Sequence, residues 1–273
     1  MNLKEIHNVY FIGIGGIGMS ALAKYFCQTG KQVGGYDKTP TKITNDLESQ
    51  GIEIHFNDSL EAIPEKYKNK TTTLIVYTPA IPKNHLGLNF FLNDGFHILK
   101  RAEVLGIITK NTFCFAVAGT HGKTTTSSIL GHIMQPYNGT SFLGGISENY
   151  HSNLILGGDK ISVVEADEFD RSFLKLSPNI ACITSMDADH LDIYGEHSAL
   201  EASFQEFADQ VSETLIVAKG SKVKGVTYAI DEDADYQIKN LLIKNGNYIF
   251  DVKTPTNTIN EIVFSLPGKH NIM

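Results

Sequence analysis

The sequence is poor in cysteine and contains no long apolar run. Its three cysteines, Cys27, Cys114 and Cys182, are far apart, which excludes a disulfide framework and a cysteine-based metal site. No apolar stretch approaches the length of a membrane span. Residues 1–5 carry mixed charge and do not resemble a signal peptide. These absences favour a cytoplasmic protein.

Basic residues are outnumbered by acidic ones. The chain has 23 Lys and Arg against 30 Asp and Glu, a formal net charge of −7, and no basic patch. This balance argues against a nucleic-acid-binding protein. With 273 residues and a hydrophobic fraction of 42%, the chain is long enough for two globular domains. We therefore expect neither a nucleic-acid partner nor a membrane partner.

Short apolar segments alternate with helical patterns in the first part of the chain. Strands are predicted at residues 7–12, 32–36, 53–56 and 74–77, and helices at 19–27 and 43–50. This alternation is typical of a doubly wound α/β fold with a parallel sheet. A polar stretch at 109–112 marks the expected boundary, so residues 1–108 are predicted to form a Rossmann-like domain.

The second part of the chain, residues 109–273, continues the alternation and then changes character. Strands are predicted at residues 113–117, 161–165, 180–184 and 215–218, helices at 127–134 and 199–211, and short strand-like segments at 226–230, 248–252 and 262–266. Asn245-Gly246 is a hairpin turn signal. We predict a central α/β domain of the P-loop ATPase type with a small antiparallel sheet added to it.

A glycine-rich turn that ends in Gly-Lys-Thr lies between a predicted strand and a predicted helix, at residues 119–125. Backbone N–H groups in such a turn point at an anion, and the helix N-terminus adds partial positive charge. We expect Lys123 to contact the β- and γ-phosphates of a nucleoside triphosphate and the Thr124 hydroxyl to bind Mg²⁺. The common P-loop has a glycine where Val117 stands, so a plain strand–helix turn is the alternative.

A second glycine motif, Gly13-Ile14-Gly15-Gly16-Ile17-Gly18, follows the first predicted strand, and Asp37 lies 19 residues after Gly18. Alone, this pattern suggests NAD or FAD. Backbone N–H groups at a helix terminus, however, serve any diphosphate. A chain with one diphosphate cradle and one triphosphate cradle is more typical of a ligase or kinase than of a dehydrogenase.

Two acidic clusters also follow predicted strands. One contains Glu165, Asp167, Glu168 and Asp170, and the other is Asp187-Ala188-Asp189-His190-Leu191-Asp192. Ligands of open α/β sheets gather at the carboxyl ends of strands, and crowded carboxylates favour a bound cation. A histidine among acids can bind a metal. The alternatives are a solvated acidic loop and a structural histidine.

The order and spacing of four motifs resemble the Mur ligase family. The motifs are the glycine run at 13–18 with Met19-Ser20, Ala118-Gly119-Thr120-His121-Gly122-Lys123-Thr124-Thr125, Glu165-Ala166-Asp167-Glu168, and Asp189-His190-Leu191-Asp192. The resemblance covers nearly the whole chain. It also accounts for Val117, because the family's own loop has the shorter glycine pattern.

The resemblance implies an N-terminal domain for a UDP-sugar, a central ATPase and a C-terminal Rossmann-like domain. Family members continue past His270-Asn271, so we expect the third domain to be absent here and ligation to be impaired or lost. Within the family, the implied reaction joins L-alanine to the lactyl carboxylate of UDP-N-acetylmuramate with ATP and Mg²⁺. This is a cytoplasmic step of peptidoglycan precursor synthesis.

The resemblance also implies a role for each motif residue. The catalytic residues are Lys123, Glu165 and His190, and the metal ligands are Thr124, Glu165 and His190. ATP is bound by Gly119, Thr120, His121, Gly122, Lys123, Thr124 and Thr125. The UDP-sugar is bound by Gly13, Gly15, Gly16, Ile17, Gly18, Asp37, Thr78, Ala80 and Ile81. His121 either faces the sugar acid or fills the turn. An Asn is common in the family where Ser185 stands, so the contact made there is open.

Three other functions remain possible on the sequence. A related ligase attaches a preformed peptide to the same UDP-sugar, although its N-terminal glycine loop usually differs. An NAD-dependent oxidoreductase would use residues 13–37 but leaves the Gly-Lys-Thr turn and the acidic clusters unexplained. A non-catalytic nucleotide-binding regulator is the third.

Overall fold

The computed structural model of the chain describes residues 3–186, 197–268 and 271–272. The fold divides into two units, unit 1 with residues 1–112 and 131–162, and unit 2 with residues 113–130 and 163–273. No helix within the described ranges is long and apolar enough to cross a bilayer.

The regular elements follow one another as strands, helices and hairpins. The strands are β1 (Asn8–Ile12), β2 (Gln32–Tyr36), β3 (Glu53–His55), β4 (Thr73–Tyr77), β5 (His97–Lys100), β6 (Phe113–Ala118), β7 (Thr140–Ser147), β8 (Ser152–Ile155), β9 (Ile161–Glu165), β10 (Ile180–Ile183), β11 (Thr214–Ala218), β12 (Val226–Ile230), β13 (Tyr236–Lys244), β14 (Asn247–Lys253) and β15 (Thr258–Phe264). The helices are α1 (Ile17–Gln28), α2 (Lys42–Ser49), α3 (Leu86–Asn93), α4 (Arg101–Lys110), α5 (Lys123–Met134) and α6 (His197–Asp209).

Unit 1 is built on a parallel sheet with the strand order β3-β2-β1-β4-β5. Its register aligns Ile12 with Tyr36 on one side and with Tyr77 on the other, so the turns after three strands leave the sheet at one level. The chain order reverses between β1 and β4, and ligands of open α/β sheets bind at such a switch point. The predicted Rossmann-like fold is confirmed.

The sheet of unit 1 is held by a buried aromatic core and by a hairpin. Tyr10 packs against Tyr67 and Phe91 with ring centroids 5.2 and 5.4 Å apart. The antiparallel hairpin β7–β8 packs on α1, where Asn153 Nδ2 donates to the Ile17 carbonyl at 2.5 Å and to Ser20 Oγ at 2.8 Å. These bonds fix the first turn of α1, and therefore the end of the glycine motif.

Unit 2 contains strands in the order β15-β14-β13-β12-β11-β10-β6-β9. The pairs β6–β10, β10–β11, β11–β12 and β12–β13 are parallel. The pairs β13–β14 and β14–β15 are antiparallel. On α6, which was predicted at 199–211, Leu200, Phe204 and Phe207 are fully buried. Phe207 stacks on Phe173 at 4.9 Å. The predicted α/β domain with an antiparallel addition is confirmed.

Two strands of the antiparallel addition differ from their prediction. Residues 236–244 form β13, which was not predicted, and β15 covers Thr258–Phe264 instead of 262–266. Pairing determines both, because the β14 backbone aligns Tyr248 with Phe264 and also pairs with β13. The hairpin turn is confirmed by positive φ angles of 52° at Asn245 and 77° at Gly246.

Candidate functional site

The central glycine turn connects β6 to α5, and its conformation requires glycine. Gly119 has φ +130° and Gly122 has φ +80°, a region that residues with a side chain rarely adopt. A Cβ on Gly119 would lie 2.2 Å from Thr184 Oγ1. The first turn of α5 contains no acidic residue, so its N-terminal N–H groups and partial positive charge are suited to an anion.

Lys123, the first residue of α5, folds back into the turn. Its Nζ donates to the Gly119 carbonyl at 2.5 Å and lies 3.5 Å from the Thr120 carbonyl. It also lies 2.9 Å from Glu168 Oε1 and 2.8 Å from Oε2. The ammonium group is therefore in the predicted cradle, but it forms an ion pair that the sequence did not predict.

Thr124 and Glu165 are brought together as the two motifs suggested. The Thr124 hydroxyl donates to Glu165 Oε1 at 3.0 Å, and the Ser127 hydroxyl donates to Oε2 at 3.3 Å. A hydroxyl and a carboxylate are the oxygen ligands that Mg²⁺ prefers. These two groups suit a magnesium ion that also takes phosphate and water oxygens.

The rest of the predicted metal site cannot be placed. His190, like the whole cluster 187–192, lies outside the described residues. Within the part of the chain that the structure describes, no group of three or more His, Cys, Asp or Glu side chains could hold a metal ion.

The backbone of the turn is braced by the residues after β10. Ser185 Oγ accepts a hydrogen bond from His121 N–H at 2.9 Å and lies 2.9 Å from Thr120 Oγ1. The Ser185 carbonyl accepts from Thr120 N–H at 3.1 Å. Ser185 thus supports the turn directly. His121 is exposed and Thr125 is partly buried.

Cys182, in the middle of β10, is not a reactive group. Burial raises the pKa of its thiol to about 12, so little thiolate, the nucleophilic form, is present near neutral pH.

The N-terminal glycine turn connects β1 to α1 and is tightly packed from three sides. A Cβ on Gly13, which has φ +88°, would lie 2.7 Å from Thr78 Cγ2 and 3.2 Å from Ile81 Cδ1. Asp37 Oδ2 accepts from Gly15 N–H at 2.7 Å. The structure thus brings Thr78, Ile81 and Asp37 to this turn, whereas nearby Ala80 is exposed.

Gly16 and Gly18 differ in what surrounds them. A Cβ on Gly18 would lie 2.6 Å from Arg101 Nη1, so glycine leaves room for a guanidinium group that the sequence analysis missed. A Cβ on Gly16 would be 3.6 Å from the nearest atom, so protein packing does not require glycine there. A ligand that closely approaches the backbone would explain why this position is glycine. The first turn of α1, which begins at Ile17, contains no acidic residue.

Two family models match the chain. The model for the Mur ligase family catalytic domain matches residues 8–112, and the model for the Mur ligase middle domain matches residues 117–273.

Curated relatives named UDP-N-acetylmuramate–L-alanine ligase match the whole chain. The protein of Flavobacterium psychrophilum is 60% identical over 276 residues, and that of Parabacteroides distasonis is 46% identical over 285 residues. The match covers 100% of this chain in both cases, but the chain spans only 61% and 62% of the length of these relatives.

Solved structures show the same fold. A UDP-N-acetylmuramate-alanine ligase from Thermotoga maritima has a TM-score of 0.84 at 27% identity, over 97% of this chain and 62% of that chain. A UDP-N-acetylmuramate:L-alanyl-gamma-D-glutamyl-meso-diaminopimelate ligase from Neisseria meningitides has a TM-score of 0.84 at 22% identity, over 97% of this chain and 90% of that one. At the latter identity the likeness concerns the fold alone.

Proposed function

The chain belongs to the Mur ligase family, and from this membership we propose that it binds the UDP-sugar and ATP of a ligase that joins L-alanine to UDP-N-acetylmuramate. Relatives with 45–60% identity across the chain carry the name of that reaction. The product is a peptidoglycan precursor, and the reaction belongs to the cytoplasm. L-alanine is the third substrate.

The proposed reaction has two steps. The lactyl carboxylate of the sugar attacks the γ-phosphate of ATP, which forms an acyl phosphate and releases ADP. The amine of L-alanine then attacks the acyl carbon, and phosphate leaves from the tetrahedral intermediate. In the first step two anions meet, and two unit charges 4 Å apart repel by about 4 kcal/mol at an effective dielectric constant near 20. Cationic groups are therefore essential.

The central turn supplies groups of this kind. Lys123 is proposed to contact the β- and γ-phosphates, and the N–H groups of residues 119–125 are proposed to hold them. Thr124 and Glu165, 3.0 Å apart, would hold Mg²⁺, which would neutralise phosphate charge. His190 is proposed as a further metal ligand, although it lies outside the described residues. Phosphoryl transfer needs mainly such positioning and charge neutralisation.

The N-terminal turn is proposed to hold the UDP diphosphate on the N–H groups of residues 15–18. Asp37 is proposed to contact the ribose or uracil; its two oxygens already accept from Gly15 and Thr39 N–H groups but keep further lone pairs. Thr78, Ala80 and Ile81 are proposed to line the same crevice. We also propose that the functional division of the chain falls near residue 108.

The observation that carries this proposal is the convergence of Lys123, Thr124 and Glu165 on one glycine turn at a helix N-terminus. Calorimetric titration of the chain with UDP-N-acetylmuramate, with ATP–Mg²⁺ and with NADH tests it. We expect saturable binding of the first two ligands and none of NADH. Binding of NADH in place of the UDP-sugar would favour an oxidoreductase instead.

The acceptor is tested separately. Because ligation is expected to need the family's third domain, ligation assays use the intact enzyme with ATP–Mg²⁺, the UDP-sugar and either L-alanine or a preformed peptide. They distinguish the proposed ligase from its peptide-adding relative. ATP turnover that depends on L-alanine would also exclude a non-catalytic regulator.

A further inference from the structure

We propose that Glu168 makes the central glycine turn selective for phosphate groups that carry a metal ion, and keeps metal-free phosphates out. Glu168 is not among the residues that the family resemblance assigns to ligand binding. The inference rests on the proposed function, because it concerns the same ATP site. It identifies Glu168 as a positioning residue that acts through Lys123.

The ion pair between Glu168 and Lys123 is the first observation. The Glu168 side chain is 0% exposed and that of Lys123 is 14% exposed. Both carboxylate oxygens lie within 2.9 Å of Nζ. An ionised carboxylate in such a place is costly without a partner, and breaking a buried pair leaves the other charge uncompensated.

The hydrogen-bond capacity of Lys123 is the second observation. An ammonium group has three N–H donors and no acceptor. Three acceptor groups already surround Nζ, namely the carbonyls of Gly119 and Thr120 and the carboxylate of Glu168. A phosphate must therefore compete with these acceptors for the ammonium protons.

The charge balance of the turn is the third observation. The positive charge of Lys123 already faces the negative charge of Glu168, and Glu165 places a second carboxylate at the same turn. Glu165 already accepts from Thr124. A metal-free polyphosphate brings only negative charge and meets repulsion. A phosphate that brings a divalent cation arrives with its negative charge offset and places two positive charges next to Glu165, so Lys123 can share its N–H donors with the phosphate and still keep its pair with Glu168.

Calorimetry of the whole chain tests this selectivity with two probes, ATP–Mg²⁺ and ATP in excess chelator. The wild type is compared with Glu168→Gln, which keeps size and one acceptor but removes the charge, and with Glu232→Gln, the same change at an exposed position of unit 2. We expect Glu168→Gln to bind metal-free ATP about tenfold more tightly, while its affinity for ATP–Mg²⁺ changes about threefold or less.

Glu168→Asp keeps the charge, so it should retain a stronger preference for ATP–Mg²⁺ than Glu168→Gln does. A merely structural role of Glu168 would change both affinities by the same factor and leave their ratio at the wild-type value. That result would overturn the inference. If the wild type binds neither form of ATP, the proposed ATP site itself is wrong, and that outcome is distinct.

A second measurement needs no variant and decides the matter if Glu168→Gln does not fold. The ammonium signal of Lys123 in the nitrogen-labelled wild-type chain is followed during titration with pyrophosphate, with and without Mg²⁺. We expect a shift only when Mg²⁺ is present. An equal shift with metal-free pyrophosphate would contradict the selectivity.

Discussion

The two glycine turns use the same backbone arrangement but differ in their side chains. Each follows a central parallel strand and begins a twelve-residue helix without an acidic first turn. In the N-terminal turn, the nearby acid Asp37 bonds to a backbone N–H. In the central turn, the acid Glu168 bonds to the Lys123 ammonium, and Thr124 bonds to Glu165.

This difference distinguishes a turn that can only bind a phosphate group from a turn that can also assist phosphoryl transfer. A turn that offers N–H groups can hold a diphosphate that does not react. A turn that also contains a lysine and a hydroxyl–carboxylate pair can neutralise charge that moves during phosphoryl transfer. This difference supports the proposal that unit 1 holds the unreactive UDP diphosphate and unit 2 the reacting triphosphate.

The largest expected effect comes from removing Lys123. Lys123→Ala alone would leave Glu168 buried without its partner, so the double variant Lys123→Met with Glu168→Gln isolates the loss of the cation. We expect ATP–Mg²⁺ affinity in the double variant to fall about a hundredfold and UDP-sugar affinity to stay unchanged, as measured by calorimetry. Lys244→Ala, at an exposed position of β13, is the matched control. Near-normal ATP–Mg²⁺ affinity in the double variant would remove Lys123 from the phosphate site.

The next largest effect is expected at the metal. Glu165→Gln removes the charge that would attract Mg²⁺, so about tenfold more Mg²⁺ should be needed for half-maximal nucleotide binding. Titration of Mg²⁺ at constant ATP measures this requirement. His190→Ala should act in the same direction. An unchanged Mg²⁺ requirement would exclude the substituted residue as a ligand, and Glu232→Gln should behave as the wild type.

A smaller effect is expected at Gly16 in the N-terminal turn. The structure has room for a Cβ there, with the nearest atom at 3.6 Å, so Gly16→Ala should leave the thermal midpoint unchanged. The added methyl group should nevertheless hinder approach of the diphosphate to the N–H groups, and we expect about fivefold weaker UDP-sugar binding. Gly158→Ala, whose Cβ would also meet only ordinary contacts at 3.4 Å, is the control. If both variants bind equally well, the diphosphate does not lie at Gly16.

The smallest effect concerns pH and unit 1. His85 caps α3, where its Nδ1 accepts from Leu88 N–H at 3.1 Å. Burial lowers the pKa of His85, although Asp58 opposes this shift. Below the unfolded pKa of about 6.5, the unfolded chain takes up a proton that the folded chain resists. The contribution to stability is therefore complete above that pH and decreases as pH falls.

Calorimetric melting between pH 7.5 and pH 5.5 measures this dependence. His85→Asn keeps a capping oxygen but cannot titrate, so its loss of stability over this range should be smaller by about 2–4 °C. His132→Asn is a suitable control, because His132 is a histidine whose hydrogen bond to Tyr150 is exposed. An identical pH dependence in His85→Asn and in the wild type would show that His85 does not contribute.

Local sequence patterns predicted much of the fold. Residues 32–36, 161–165 and 226–230 were predicted as strands and form β2, β9 and β12 with these bounds, and the last two are rich in β-branched residues. Strand β13 has apolar residues without a regular alternation and pairs with both β12 and β14, and the first half of β15 is polar and pairs with β14. Local patterns indicate neither strand, and pairing with neighbouring strands explains both. The hairpin β7–β8 and the helices α3 and α4 were also not predicted.

In the candidate site, too, local sequence patterns predicted some residues and missed contacts between residues far apart in the chain. The two glycine motifs and Glu165 were found because each is a local signal next to a strand end. The pair of Lys123 and Glu168 joins residues 45 positions apart, and the contact of Arg101 with Gly18 depends on the packing of α4. Residue type and spacing predicted four carboxylates around one cation, whereas the fold gives Glu165 and Glu168 different partners.

The central claim is that ATP–Mg²⁺ binds at the turn of unit 2. A crystal structure of the chain with Mg²⁺ and a non-hydrolysable ATP analogue tests it most directly. We expect the β- and γ-phosphates within hydrogen-bond distance of Lys123 Nζ and of the N–H groups of residues 122–125, with the metal bound by Thr124 and Glu165. Phosphates bound at residues 13–18, with the central turn empty, would contradict the account.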